Sequence, residues 1–411
     1  MANWDYFLTE KPMRRGAEFQ MNPTHMKNMT RSLGFGGCTL LASATAVVFQ
    51  FAAAAVPATP ALRAAFADDF LVGAALNPAQ IDGRNAHAGE IAARQFSTLT
   101  AENDMKWQSV HPQPGRYEFK AADAYAEFAA KHDMKLIGHN LVWHSQTPAW
   151  VFQGEDGQPA TREQLLKRMR DHIQTVAGRY KGKIKGWDVV NEALADGGPG
   201  ILRDSPWRRI IGDDFIDQAF RFAREADPKA ELYYNDYGLE NEHKRSNCVK
   251  LVRGMIERGV PIDGVGTQSH FQLNSPSLAD VEKTIKDLAA LGVKVMVTEL
   301  DVDVLPSRGN MGNADISRRE QADASLNPYA AGLPDDVQEK LARRYADLFG
   351  IYLRHRKSIT RVTLWGLDDG QSWLNGFPIR GRTNHPLLIG RDLKPKPAFF
   401  AVLKLGQASR P

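Results

Sequence analysis

The chain of 411 residues is 43% hydrophobic and 24% charged, the balance of an ordinary folded protein whose core is large enough to need no disulfide. Its formal net charge is only +4, and Lys and Arg are scattered instead of gathered in a run, so charge gives no ground for a nucleic-acid partner. Cys38 and Cys248 are the only cysteines, and Cys38 lies in a segment expected to be removed, which excludes an intramolecular disulfide from the mature chain.

The first element in chain order is apolar. Residues 33–55 are almost all apolar or small, follow Lys27 and Arg31, and end in a run of alanines before Val56 and Pro57. This is the pattern of a basic region, an apolar region and a small-residue cleavage zone. A membrane anchor is the alternative, since the run approaches the length of a span. Its high content of Gly, Ala, Ser and Thr favours a cleaved signal. Residues 1–58 are therefore expected to be an N-terminal extension with an export signal. The mature chain should be periplasmic or extracellular, with no stable membrane association.

Residues 59–411 are expected to be a single domain. From residue 70 onward short apolar runs alternate with longer stretches of helical periodicity, the order of βα units around a parallel sheet. The runs at 70–75, 97–103, 135–142, 184–191, 231–235, 264–269, 294–299 and 359–365 are predicted strands. Thr161 with Gln164, and Ser277 near Asp280, have the spacing of helix N-terminal caps. The stretch carrying Cys248, Leu251, Val252, Met255 and Ile256 closes at Gly259, with Pro261 beyond it, as a helix end should. Cys248 lies on that apolar stripe and is read as core. Eight strand–helix pairs over this length predict an α/β fold of the (β/α)₈ TIM-barrel type.

Such a barrel carries its active site at the carboxyl ends of its strands. In order those ends offer Asn77; Glu102 and Asn103; His139, Trp143 and His144; Asn191 and Glu192; Asn235 and Asp236; Gln268 and His270; Glu299 and Asp301; and Trp365. Carboxylates beside amides and indoles suit a sugar, whose faces stack on rings while its hydroxyls need directed partners. Hydrolysing a glycosidic bond takes one protonated and one ionised carboxyl group. Glu192 ends the fourth strand and Glu299 the seventh, on opposite sides of an eight-stranded barrel. Asp104, Asp236, Asp301, Asp368 and Asp369 remain rival carboxylates on this reading alone.

WDVVNEAL at 187–194 and VTELDV at 297–302 resemble the acid/base and nucleophile segments of glycoside hydrolase family ten, the barrel xylanases. TAENDMKW at 100–107, GHNLVWHSQTPAW at 138–150, YNDYGLE at 234–240, TQSHF at 267–271 and WGLDDGQSWL at 365–374 agree in order. The resemblance covers nearly all of the chain from Phe70 onward. It implies a retaining endo-1,4-β-xylanase working by double displacement, with Glu192 as acid/base and Glu299 as nucleophile. It further implies that Asn191 bonds the 2-hydroxyl of the reacting sugar, and that His270, oriented by Asp301, bonds Glu299. Glu102, Asn103, Lys106, His139, Trp143, Gln146, Gln268, Trp365 and Trp373 would line the glycone side, and Tyr237 would stack on the leaving-group side. The implied partners are xylan and xylooligosaccharides, for a monomer with no cofactor and no metal. The Gly/Asn/Ala-rich segment 306–337 is expected to be a long loop shaping the aglycone side.

Proximity to a negative Glu299 is expected to raise the Glu192 pKa. A cellulase or mannanase is the nearest rival, and WDVVNEAL and TQSHF argue against both. A sugar-binding protein without catalysis would be expected to lack one of the two glutamates. A phosphate-handling barrel would need a Gly-rich turn opening a helix after strand seven or eight, which is missing.

Overall fold

The computed structural model describes residues 60–154, 156–306 and 320–409. The segment read as an export signal lies outside the described residues. Eight parallel strands close into a ring: β1 (Leu71–Leu76), β2 (Thr98–Ala101), β3 (Lys135–Trp143), β4 (Ile184–Asn191), β5 (Glu231–Asp236), β6 (Gly264–Thr267), β7 (Lys294–Asp303) and β8 (Ile359–Leu364). Each pairs with its neighbour in sequence, and β8 pairs with β1 to close the barrel. The helices that follow them are α1 (Ala86–Gln95), α2 (Lys120–Lys131), α3 (Arg162–Arg179), α4 (Phe215–Ala226), α5 (Glu242–Glu257), α6 (Leu278–Ala289), α7 (Asp335–Arg354) and α8 (Pro397–Ala408). This is a (β/α)₈ barrel, and its strands are buried almost throughout, as parallel strands covered by helices must be.

Local chemistry sets the helix boundaries. Thr161 and Gln164 form a reciprocal capping box at the start of α3, and the Ser277 hydroxyl accepts the Asp280 N–H at the start of α6. Helix α5 ends before Gly259, whose φ of +64° supplies the left-handed turn. Asn77, read from sequence as a polar strand end, caps a short helix, Pro78–Ile81, and donates to Gln371 at 3.2 Å.

The strand packing depends on glycines placed beside large rings. Gly138 on β3 faces Trp187 on β4, and a Cβ there would lie 2.1 Å from the indole. Gly186 likewise leaves room for Tyr233, against whose ring the buried Arg361 guanidinium lies 5.8 Å from the centroid. Register shifts interrupt β3–β4 between His139 and Val142 and β4–β5 between Asp188 and Val190, just below the strand ends.

Two departures from the predicted elements matter for the site. Strand β7 continues four residues past Glu299, because a three-residue strand, His270–Gln272, pairs with its end and sets His270 opposite Asp301. The predicted loop at 306–337 is not loop throughout: a two-residue strand, Glu320–Gln321, pairs with Ile379–Arg380, and α7 begins at Asp335. Residues 307–319 of that segment lie outside the described residues.

The segment that follows β2 is fixed by a stack of rings. Trp107 lies 3.6 Å, centroid to centroid and nearly parallel, from His172 on α3, and His111 stacks on Tyr117 at 3.9 Å. Nδ1 of His111 and Nδ1 of His172 are 3.3 Å apart and share a hydrogen bond. Lys106 directly precedes Trp107, so this stack also fixes where Lys106 stands.

Gly138→Ala tests the ring-and-glycine packing. Replacing a strand glycine normally stabilises slightly by stiffening the unfolded chain, but here the added methyl would overlap the Trp187 indole. The variant should lose about 3 kcal/mol of unfolding free energy in a denaturant titration.

Candidate active site

The carboxyl ends of the strands surround a cleft of about 850 Å³. Every residue assigned to the site from sequence lines it: Glu192, Glu299, Asn191, His270, Asp301, Glu102, Asn103, Lys106, His139, Trp143, Gln146, Gln268, Tyr237, Trp365 and Trp373. Of the remaining polar strand ends, Asn77, Asn235 and Asp236 do not line the cleft and act on neighbours instead. Gln146 (φ +46°), Glu192 (φ +57°) and Ser269 (φ +64°) follow strands in left-handed backbone, which concentrates conformational strain at this rim.

Glu299 is buried and accepts at both oxygens. Asn235 Nδ2 donates to Oε1 at 2.8 Å, and His270 Nε2 lies 3.3 Å from Oε2. The other ring nitrogen of His270 is 3.1 Å from Asp301 Oδ1, and Trp373 Nε1 donates to Asp301 Oδ2 at 2.7 Å. Burial works against the His270 charge, but Asp301 and Glu299 outweigh it and raise the imidazole to about 10. A charged imidazolium therefore sits between two carboxylates. Burial also opposes ionisation of Glu299, yet the His270 hydrogen bond leads the groups that pull its pKa below the usual value.

Glu192 is also buried, with a different outcome. Trp143 Nε1 donates to Oε2 at 2.8 Å, Gln268 Nε2 to Oε1 at 2.8 Å, and Asn191 Nδ2 to Oε1 at 3.3 Å. Burial raises its pKa, Asp236 adds to the rise, and Glu299 contributes less than either. Glu299 thus raises it as expected from sequence, but burial and Asp236 are the larger causes. The indole of Trp143 serves as a donor to a carboxyl group as well as a wall of the cleft.

One wall is a polar lattice. Lys106 Nζ donates to Asn103 Oδ1 at 3.0 Å and Gln146 Oε1 at 2.9 Å, and lies 5.0 Å from the Trp143 ring centre. Burial lowers the Lys106 pKa, opposed by Glu299, Glu102 and Glu192, while burial raises that of Glu102. His139 is held by Asp188 at 2.9 Å and meets Trp365 edge to face. Across the cleft, Tyr237 accepts from Arg203 at 2.9 Å and donates to Asp196, with Lys244 Nζ 3.4 Å from its ring centre.

Several contributors were not assigned from sequence. Asn235 on β5 holds Glu299 on β7, and Asp188 on β4 holds His139 on the neighbouring β3. Asn235 was noted from sequence as a polar strand end but given no role, whereas Asp188 sits inside WDVVNEAL with no local sign of its partner.

The sequence profile described as Glycosyl hydrolase family 10 matches residues 61–405. The chain belongs to glycosyl hydrolase family 10. Among family 10 relatives, endo-1,4-beta-xylanase A of Xylanibacter ruminicola is 47% identical over 84% of this chain and 93% of its own length. Endo-1,4-beta-xylanase of Geobacillus stearothermophilus is 42% identical over 84% and 98%. A GH10 endoxylanase from a sugarcane soil metagenome superposes with a TM-score of 0.81 at 49% identity, covering 84% of this chain and 99% of that one. A Paenibacillus barcinonensis xylanase complexed with a conduramine derivative gives 0.77 at 39% identity, covering 85% and 99%.

Removing the imidazolium in this family 10 site has a signed consequence. In His270→Ala, Glu299 keeps its burial and loses its leading stabilising partner, so its pKa rises. The acidic limb of the kcat/KM–pH profile should move up by about one to two pH units, the worth of a charge-assisted hydrogen bond. Hydrolysis rates across a pH series check this.

Proposed function

We propose that the chain is an endo-acting, retaining β-1,4-xylanase, with Glu192 as acid/base and Glu299 as nucleophile. The observation that carries this assignment is the opposite displacement of two buried carboxyl groups on one cleft: Glu192 holds its proton more tightly than usual and Glu299 less. The xylanase names of the relatives support the substrate.

In the first step, an ionised Glu299 oxygen attacks the anomeric carbon while Glu192 delivers its proton to the departing glycosidic oxygen. A covalent glycosyl ester forms and the aglycone leaves. In the second step Glu192, now a carboxylate, takes a proton from water as that water displaces Glu299, and the β configuration is restored. Asn191 suits the 2-hydroxyl as a donor, because its own amide oxygen already accepts from Asn235 at 2.9 Å.

Glu299→Ala should abolish turnover of every substrate. Glu192→Ala should still form the glycosyl enzyme from substrates with good leaving groups, and added azide should be captured as a β-glycosyl azide. NMR of the first product anomer and mass spectrometry of the trapped enzyme read both outcomes. An α product would refute double displacement.

The walls bear on specificity. Trp373 is pinned through its N–H to Asp301 and stacked on Phe377 at 5.2 Å, and Trp365 is wedged against His139. Such rings cannot retreat from the hydroxymethyl group that glucose carries and xylose lacks. Hydrolysis of β-1,4-xylan should exceed that of carboxymethyl cellulose by at least about tenfold, equivalent to about 1.4 kcal/mol in the transition state. Equal rates on the two polymers would remove the assignment.

A further inference from the structure

Glu192 lies in left-handed backbone (φ +57°), a conformation that a glutamate keeps only when its surroundings hold it there. Those surroundings are specific. The Glu192 N–H donates to Asn235 O at 2.8 Å, and its carbonyl accepts from Arg203 Nε at 3.1 Å. The next two peptide N–H groups, of Ala193 and Leu194, both donate to the phenolic oxygen of Tyr234 at 3.1 Å. Tyr234 in turn donates its own proton to Asp236 Oδ2, which also accepts the Leu194 N–H at 3.3 Å. Both side chains are wholly buried. Asp236 is itself fixed at Oδ1, by Lys244 Nζ at 2.9 Å and the Tyr237 N–H at 2.9 Å.

Backbone N–H groups after a strand usually find a carbonyl or water; here a rigid ring from β5 reaches across and takes two of them. By giving its proton to Asp236, the phenol is left with only acceptor capacity toward the backbone, which is what two N–H donors require. Replacing the phenol would leave the buried Ala193 N–H unpaired next to the strained residue, and replacing Asp236 would take away the acceptor that orients the phenol.

We propose that Tyr234 and Asp236 are positioning residues for acid catalysis. Tyr234 clamps the peptide groups that follow Glu192 and Asp236 aligns that phenol, so the pair aims the Glu192 carboxyl at the leaving-group oxygen. This rests on Glu192 being the acid, as assigned above. A clamp on the acid alone makes a selective demand, because substrates with very good leaving groups depart without a proton.

The test uses Tyr234→Phe in the full chain, with kcat/KM measured on phenyl β-xylobioside and 2,4-dinitrophenyl β-xylobioside. The phenyl substrate should lose about ten- to a hundredfold, as expected for a misplaced catalytic group, and the dinitrophenyl substrate less than about threefold. Equal losses on both, or no loss on either, would overturn the proposal. Glu192→Ala run in parallel separates the two layers: if it shows no leaving-group dependence, the acid assignment itself fails.

Asp236→Asn, which conserves shape, supplies a second readout. The charged groups around Glu192 are Asp236 from β5 with its ion-pair partner Lys244 from α5, Glu299 from β7, Lys106 from the segment after β2, and Arg203, which bonds the Glu192 carbonyl. Asp236 is the nearest in effect of the two carboxylates, so its neutralisation should move the basic limb of the kcat/KM–pH profile to lower pH while repeating the leaving-group selectivity. A limb that stays in place would overturn the role of Asp236.

Discussion

Glu299 has to remain ionised while buried, and the cleft is arranged around meeting that demand. A lone carboxylate removed from water would take up a proton. His270 prevents this by carrying a positive charge of its own, which Asp301 sustains from the other side. Asp301 is steadied by Trp373, so a residue that walls the cleft also belongs to the electrostatic chain behind the nucleophile. The extension of β7 past Glu299 serves the same end. Without the pairing of His270–Gln272 to that extension, His270 would not lie opposite Asp301.

The two glutamates differ through their neighbours rather than their depth, since both are buried. Glu192 receives only neutral donors from Trp143, Gln268 and Asn191 and has the charge of Asp236 nearby; Glu299 receives an imidazolium. Neutral donors satisfy a carboxyl group in either protonation state more evenly than a cation does. One barrel mouth thereby keeps an acid and a carboxylate side by side.

Much of this was legible in sequence. The eight strands stand out because buried parallel strands are continuous apolar runs; Glu192 and Glu299 each close such a run, as Asp236 does, and only family resemblance singled out the pair. His270 and Asp301 came from family resemblance, and the geometry gives them the contacts expected. What stayed hidden depends on partners distant in sequence. Asp188 meets His139 across 49 positions and Tyr234 meets Ala193 across 41, and neither looks different from a strand residue serving only as packing. Strand β7 was read as ending at Glu299, whereas a short partner strand distant in sequence prolongs the pairing to Asp303. Asn77 was overread: its position at a strand end was real, but its side chain caps a helix.

The ring stack beneath Lys106 gives the molecule an acid limit unrelated to its carboxylates. Burial holds His111 down to about 4 and His172 well below the usual histidine value, so both stay neutral in the fold. In the unfolded chain each would take a proton near pH 6.5. The stack's full contribution is therefore present above that pH and is lost as pH falls toward the folded value of His111, since the unfolded chain binds protons that the native one refuses. Because the stack anchors the segment bearing Lys106, mild acid would make unfolding of that part of the barrel less costly while Glu299 is still ionised. Resistance to acid would then be gained by redesigning the contact between α3 and that segment, well away from the bond being cut.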